Sequence, residues 1–498
     1  MGAQSLFDPF VLAALFFGTL LGLTVGAIPG INDSIAMAVI IPVTFGMNPY
    51  VALALLVGIY AASACGGSIP AILVEIPGTV SAMMTSSDGY PMTKKGKGGL
   101  ALSLAVESSF IGGISSSVVL LLFAPALARQ ALKFGPPEYF MLAVLGLSTV
   151  IGLASNNISK NLISMAFGLW LSTIGMSPQA GLARFTFGTF SLMEGIPLIP
   201  RMIGLFGITS VLKLAESLKI SETITKAPEI EKVRLLDRPM VKRLIPTWIR
   251  SSVIGNIIGI IPGAGMSMAV FIAYNEAVRI YKKFAFGTGI PEGVAAPESA
   301  NNAVVASSMV PLLSLGIPGN NTSALFLGAL MIQGIQAGPT LFRDRPDMAY
   351  MIILAFIGAN LIMLPMSLYY CNILAKPVLQ LRQEILSAVI LVLCLTGAFA
   401  ISNNLFHVAT AVVFGIIGYF FYKFKIPQSP LILASILGGM MESNWIQSMV
   451  FGDGSLLIFV TRPISFVLLI ASALCFGMPL VRKYKGSKKE EAKEKTKV

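Results

Sequence analysis

Long apolar runs separated by short polar breaks fill this chain. Phe10–Ile28, Glu138–Leu153, Met348–Tyr370 and Ile464–Leu480 are four of them. A membrane-spanning helix needs about 20 mainly apolar residues, so these runs predict spans. Glycine and proline punctuate them in a repeating order. Gly18, Gly22, Gly26 and Gly30 fall at every fourth position in GTLLGLTVGAIPG, and Gly255, Gly259 and Gly263 repeat that spacing in GNIIGIIPG. Each run ends in Ile-Pro-Gly: Ile28-Pro29-Gly30 and Ile261-Pro262-Gly263. A second pair follows. SIPAILVEIPGT carries Pro70 and Pro77-Gly78, and MVPLLSLGIPGNN carries Pro311 and Pro318-Gly319 at one common offset. The pattern predicts an all-α polytopic membrane protein of two repeats with broken helices and re-entrant hairpins.

Small residues four apart line one helix face and allow close helix approach in lipid. The Ile-Pro-Gly triplets go further. Proline removes a backbone donor and restricts the residue before it, and glycine then permits unusual dihedrals, so each triplet breaks a helix. Broken backbone at membrane depth is tolerated where it is buried in protein or lines an aqueous cavity. Cys65–Pro77 is too short to span and Thr79–Pro91 is polar and short, which predicts one hairpin; Ala303–Ile317 and Asn320–Gln333 predict its counterpart. Helix N-termini at the tips present free N–H groups to a carboxylate. The bland alternative is a pair of kinks sealed by neighbouring helices. The candidate substrate-binding residues are Gly30 and Asn32 after the first triplet, Ser68, Pro77, Gly78 and Thr79 about the first tip, and Asn301, Asn302, Pro318, Gly319, Asn320, Asn321 and Thr322 about the second.

Composition agrees with a membrane chain. Of 498 residues 55% are hydrophobic and 12% charged, against roughly 25% charged in ordinary soluble domains, and the mean hydropathy is +0.81. The net charge of +12 implies cytoplasmic loops rather than nucleic acid, because Lys and Arg collect on that side of a bilayer. The charged stretches are Lys213–Arg250 and the tail Arg482–Val498, and no Lys or Arg precedes Lys94. The expected organisation is a first membrane repeat over 1–212, a basic cytoplasmic linker over 213–249, a second repeat over 250–441, a terminal membrane segment over 442–481 and a charged cytoplasmic tail over 482–498. The N-terminus is expected outside, with the first helix an uncleaved anchor. The repeats then have inverted topology, as in many secondary transporters.

Ionisable residues in apolar surroundings are candidates for function: Glu75, Asp88, Glu107, Glu276, Glu292 and Glu298. Glu75, two residues before Pro77, and Glu298, beside Asn301 and Asn302, are the ion-coupling candidates. Asp88 alternatively caps a loop, and Glu107 and Glu276 alternatively sit near helix ends in water. Cys65, Cys371, Cys394 and Cys475 form no CxxC pair, so no disulfide framework or zinc site is expected. His407 is the one histidine, and an interfacial or packing place is expected for it over a proton relay. No GxxxxGK[ST] or HExxH motif occurs and no Ser/His/Asp set is plausible. The chain is therefore expected not to be an enzyme and to have no catalytic residues or cofactor. An ion gradient is the expected energy source, the coupling ion being Na+ or H+, with no other metal. A passive anion channel and a membrane-embedded enzyme are the alternatives.

GGSIPAILVEIPGT followed by DGYPMTKKGKGGLAL resembles the first signature of the large permease subunit of the tripartite tricarboxylate transporters. The run from FGTGIPEGVAAPESANN to GIQAGPTLF resembles the second, and GPPEYFML and GAIPG also fit. The resemblance extends from about Gly18 to about Gly439. It implies a permease in a bacterial inner membrane that imports a small carboxylate, a tricarboxylate or related acid. It implies a small membrane subunit and a periplasmic substrate-binding protein as partners, and sodium or proton coupling. Three features depart from the family pattern: Glu75 where a neutral polar residue such as Asn is usual, Asn32-Asp33 after the first triplet, and Met83-Met84-Thr85 before DGYP.

Overall fold

The structure, a computed structural model, describes residues 2–153, 157–177, 181–217, 231–379, 381 and 383–477. Part of the basic linker and the charged tail 482–498 lie outside the described residues. The described chain is almost wholly helical; a two-residue pairing of Gly175–Met176 with Ala183–Arg184 is its sheet. This is an all-α polytopic membrane protein. Among the described residues six helical stretches are long and apolar enough to cross a membrane: Pro9–Gly26, Pro49–Val74, Gly98–Ala131, Leu198–Glu216, Pro346–Ile373 and Leu405–Lys423. The predicted spans Phe10–Ile28 and Met348–Tyr370 match two of these, and Glu138–Leu153 falls on the helix Pro136–Leu153.

The chain divides into two compact units. The larger comprises residues 1–132, 197–261 and 265–420. Within it the same element order occurs twice. The first run is Pro9–Gly26, Asp33–Ile40, Pro49–Gly66, Ser68–Val74, Met83–Lys94 and Gly98–Ala131. The second is Arg238–Ile260, Gly265–Ile280, Pro291–Ser307, Met309–Leu315, Asn321–Ile332 and Pro346–Ile373, with the short Pro339–Asp344 before its last helix.

The glycine stripes act as small residues at helix contacts should. A Cβ at Gly22 would lie 2.5 Å from the Ile59 carbonyl oxygen, and one at Gly255 would lie 2.5 Å from that of Ala300. Backbone therefore meets backbone where Pro9–Gly26 pairs with Pro49–Gly66 and where Arg238–Ile260 pairs with Pro291–Ser307. The last helix of each run packs on the broken helix of the other: Gly98–Ala131 on Pro291–Ser307, and Pro346–Ile373 on Pro49–Gly66.

Two elements differ from the sequence reading. Cys65 belongs to the helix Pro49–Gly66, which Ser68–Val74 continues after one interrupting residue, Gly67 at φ −60° and ψ −21°. Those angles stay close to helical, so Pro49–Val74 forms a bent apolar stretch of 26 residues instead of a separate short arm beginning at Cys65. The basic segment is also less of a loop than its charge suggests. Arg238–Arg250 forms the first turns of Arg238–Ile260, capped by Asp237, whose side chain accepts from the Met240 N–H at 3.1 Å. Charge pattern reads solvent contact, and a helix end satisfies that as well as a loop does.

The smaller unit comprises residues 133–196, 262–264 and 421–498. Its described helices include Pro136–Leu153, Ile158–Ser172 and Ser429–Phe451. Ion pairs tie it together: Glu138 with Arg462 at 2.6 Å, and Glu442 with Arg184 at 2.6 Å.

Candidate functional site

The two predicted tips lie in the larger unit, and they are built alike. In the first, Ser68–Val74 ends at Glu75 in the left-handed region, φ 62°, and the chain passes through Pro77, Gly78 and an extended Thr79. In the second, Met309–Leu315 ends at Gly316, φ 75°, and the chain passes through Pro318, Gly319 and an extended Asn320. Gly78 and Gly319 sit where backbones crowd. A Cβ on Gly78 would lie 2.2 Å from the Gly26 oxygen, and one on Gly319 would lie 3.0 Å from the Gly259 oxygen and 2.9 Å from that of Ser308. Each tip thus rests on the next-to-last glycine of its own stripe, Gly26 or Gly259, and on the break in its own bent helix, Gly67 or Ser308.

The tips differ in exposure. Ile76 is 43% and Val80 60% exposed, whereas Ile317, which matches Ile76, is fully buried. Glu75 is exposed. Thr79 is buried and its hydroxyl pairs with Ser81 at 3.0 Å.

At the second tip most polar groups are engaged. Asn320 caps Asn321–Ile332: its Oδ1 accepts from the Ser323 N–H at 2.8 Å, and Ser323 Oγ accepts from the Asn320 N–H at 2.8 Å. The Asn320 amide also donates to Tyr60 Oη at 2.8 Å, and Tyr60 pairs with Ser308 Oγ at 2.8 Å. Asn321 is half-buried and its side chain makes no hydrogen bond to a described residue. Thr322 donates to Asp33 Oδ2 and pairs with Ser34 Oγ at 2.9 Å. The start of the helix Asp33–Ile40, just after the first triplet, is therefore brought against the second tip. Asn32 caps Asp33–Ile40 through the Ile35 N–H at 2.9 Å, and Gly30 turns the chain at φ 84°. Sequence reasoning selected Asn32 and passed over Asp33, the acid that touches the tip; the available signal was a carboxylate directly after a helix break inside an apolar stretch.

Glu298 forms a second centre. It is buried on Pro291–Ser307, and its carboxylate accepts from Thr85 Oγ1 at 2.5 Å and Ser109 Oγ at 3.0 Å. Asn301 and Asn302, three and four positions on, share its helix face. The Asn301 amide nitrogen donates to the Ala64 oxygen at 3.3 Å and that of Asn302 to the Glu298 backbone oxygen at 3.4 Å. The Oδ1 atoms of both are buried without a hydrogen-bond partner. The buried Ser68 hydroxyl lies beside the Glu298 carboxyl and interacts with it, so the two amide oxygens are the gaps. Such gaps are rare, because a buried polar atom left unpaired costs about 1–3 kcal/mol.

The other acids hold structure. Asp88 Oδ1 accepts from the N–H groups of Gly287, Gly289 and Ile290, each at 2.9 Å, and Oδ2 accepts from Tyr274 Oη at 2.9 Å. Asp88 thereby ties DGYP to FGTGIP. Glu107 accepts from the Leu236 N–H at 2.5 Å, Glu292 takes Arg243 in a two-pronged pair at 2.6 and 2.8 Å, and Glu276 pairs with exposed Arg279. His407, at a helix start, pairs with exposed Ser402 at 2.7 Å. All four cysteines are free, and no group of three or more His, Cys, Asp or Glu side chains placed to hold a metal occurs among the described residues.

Residues 12–433 match the Tripartite tricarboxylate transporter TctA family. Over 484 residues, 97% of this chain and 95% of the relative, the sequence is 35% identical to an Agrobacterium vitis protein described as "Uncharacterized 52.8 kDa protein in TAR-I ttuC' 3'region". A second A. vitis relative, "Uncharacterized protein in TAR-II ttuC' 3'region", is 35% identical over 46% of this chain and 94% of its own length. No solved structure matches. The chain belongs to the TctA family, a family of transporters.

Proposed function

We propose that this chain is the permease of a binding-protein-dependent secondary transporter that imports a carboxylate on an ion gradient. The site lies between the two tips. The observation that supports this reading most is the Glu298 centre: a buried carboxylate on the same helix face as two buried amide oxygens, Asn301 Oδ1 and Asn302 Oδ1, that lack donors. An anionic substrate is repelled by Asp33 and Glu298 as carboxylates. A cation at Glu298 removes that group's share of the repulsion, and unpaired oxygens are what a sodium ion requires; a proton neutralises the same group. Substrate and ion then each raise the other's affinity by the same factor, which is coupling in thermodynamic form. Asn321, the tip residue with a free side chain, and backbone N–H groups about Gly78 and Gly319 would meet the substrate carboxylates.

In this reading the two element runs are inverted repeats in a bacterial inner membrane, with the N-terminus outside and the C-terminus cytoplasmic. A small membrane subunit completes the transporter and a periplasmic binding protein delivers substrate. The test is uptake into proteoliposomes holding the permease and its small subunit, with the binding protein added. Accumulation of a labelled carboxylate above its equilibrium level is expected under an imposed Na+ or pH gradient, with loss of that ion dependence in Glu298→Gln. Uptake that only equilibrates, and ignores both gradients, makes the chain a passive channel and overturns the proposal.

A further inference from the structure

Arg201 is a buried charge that the tips and the Glu298 centre leave unexplained. It lies at the start of the apolar stretch Leu198–Glu216 and is 5% exposed. Its Nε has no hydrogen-bond partner, and no described residue makes an ion pair with it. Other arginines of the chain pair with acids, among them Arg243 with Glu292, Arg184 with Glu442 and Arg462 with Glu138. A guanidinium withdrawn from water without an anion is costly, and ionisable groups in membrane segments mark substrate and ion pathways.

Two features connect Arg201 with the helix of the second tip and with an irregular backbone segment. Its flanking residues Ile199 and Met202 pack on Asn321–Ile332, where a Cβ on Gly328 would lie 3.4 Å from Ile199 and 3.9 Å from Met202. Gly328 lies about 10 Å along that helix from the tip, at 1.5 Å per residue. Directly after Arg201 comes a π-helical turn, Ile203–Ile208, held by Thr209 Oγ1 donating to the Gly204 and Gly415 oxygens at 3.2 and 3.1 Å. Such turns are rare and recur at functional sites.

We propose that Arg201 binds a carboxylate of the transported substrate, supplying the anion that its surroundings lack. Arginine suits this role, since its planar fork matches a carboxylate with two parallel hydrogen bonds and keeps its charge. The assignment rests on the reading of the chain as a carboxylate permease, and it adds positive charge to a unit whose site otherwise carries acids.

Thermal unfolding of the full-length purified chain with citrate, succinate, tartrate or inorganic phosphate tests it, using wild type, Arg201→Met and Arg201→Lys. At least one carboxylate should raise the wild-type midpoint, and phosphate alone should not. Arg201→Met should lose that response, while its ligand-free midpoint equals or exceeds wild type because an unpaired buried charge is gone. Arg201→Lys should respond with roughly ten- to hundredfold weaker apparent affinity. A wild-type response in Arg201→Met overturns the assignment and leaves the permease reading standing. A response to phosphate and to no carboxylate assigns Arg201 to a phosphate group such as a lipid headgroup, and also overturns it. If Arg201→Met does not fold, an unchanged carboxylate affinity in Arg201→Lys overturns it. Wild-type protein that responds to none of these carboxylates overturns the Arg201 assignment and leaves the permease reading to the uptake test.

Discussion

Glu75 and Gly316 occupy the same place in two matching turns. Each ends a seven-residue helix in the left-handed region, at φ 62° and φ 75°. Glycine takes this conformation without penalty, whereas a residue with a Cβ is strained by about 1–2 kcal/mol. The first run therefore holds a strained carboxylate where the second has the relaxed residue.

Glu75→Gly should accordingly raise stability by about 1 kcal/mol, read as a higher thermal midpoint of the purified chain. If the Glu75 carboxylate contributes to coupling, the same variant should show altered sodium or pH dependence of uptake. Unchanged ion dependence would remove Glu75 from the coupling candidates and leave Glu298.

Gly78→Val and Gly319→Val should each abolish uptake. The Gly78 side would be the harsher, since its Cβ would stand 2.2 Å from a backbone oxygen, against 2.9 Å or more at Gly319. Uptake normalised to folded protein in the membrane separates loss of function from loss of fold, and full activity in either variant would show that the tip backbone moves freely.

Asn320 and Asn321 should part company. Asn320→Ala removes a helix cap and the bond to Tyr60, so it should lower stability by about 1–2 kcal/mol. Asn321→Ala leaves the cap intact and should weaken apparent substrate affinity, by a few-fold to roughly a hundredfold for a bond to a charged group, with normal insertion. Measuring both midpoint and uptake against substrate concentration checks the split; equal effects of the two on both readouts would refute it.

Asp88→Ala should leave three N–H donors of residues 287–290 without their acceptor and lower stability by about 1–3 kcal/mol or more. Asp88→Asn keeps an oxygen at the Oδ1 position and should recover much of the loss. Protease sensitivity between Phe284 and Ile290 is the direct readout, and it should rise in Asp88→Ala more than in Asp88→Asn.

The elements were largely legible in the sequence because local rules set them. Apolar runs of sufficient length predict spans, glycines at every fourth position predict the contacts made by Gly22 and Gly255, and the Pro-Gly pairs mark where both bent helices end. The Asn320 cap was legible too, as Asn followed three positions later by Ser before an apolar run, although the sequence reading took Asn320 for a ligand donor. What the sequence could not decide was which charged groups are buried and against what. Thr322 meets Asp33, and Glu298 meets Thr85 and Ser109, across separations of hundreds of residues. Among the described residues no acid is folded against Arg201. Periodicity and turn chemistry act between neighbours in the chain and can be read along it. The energy of a buried charge depends on the groups that replace its water, and only the tertiary structure determines those.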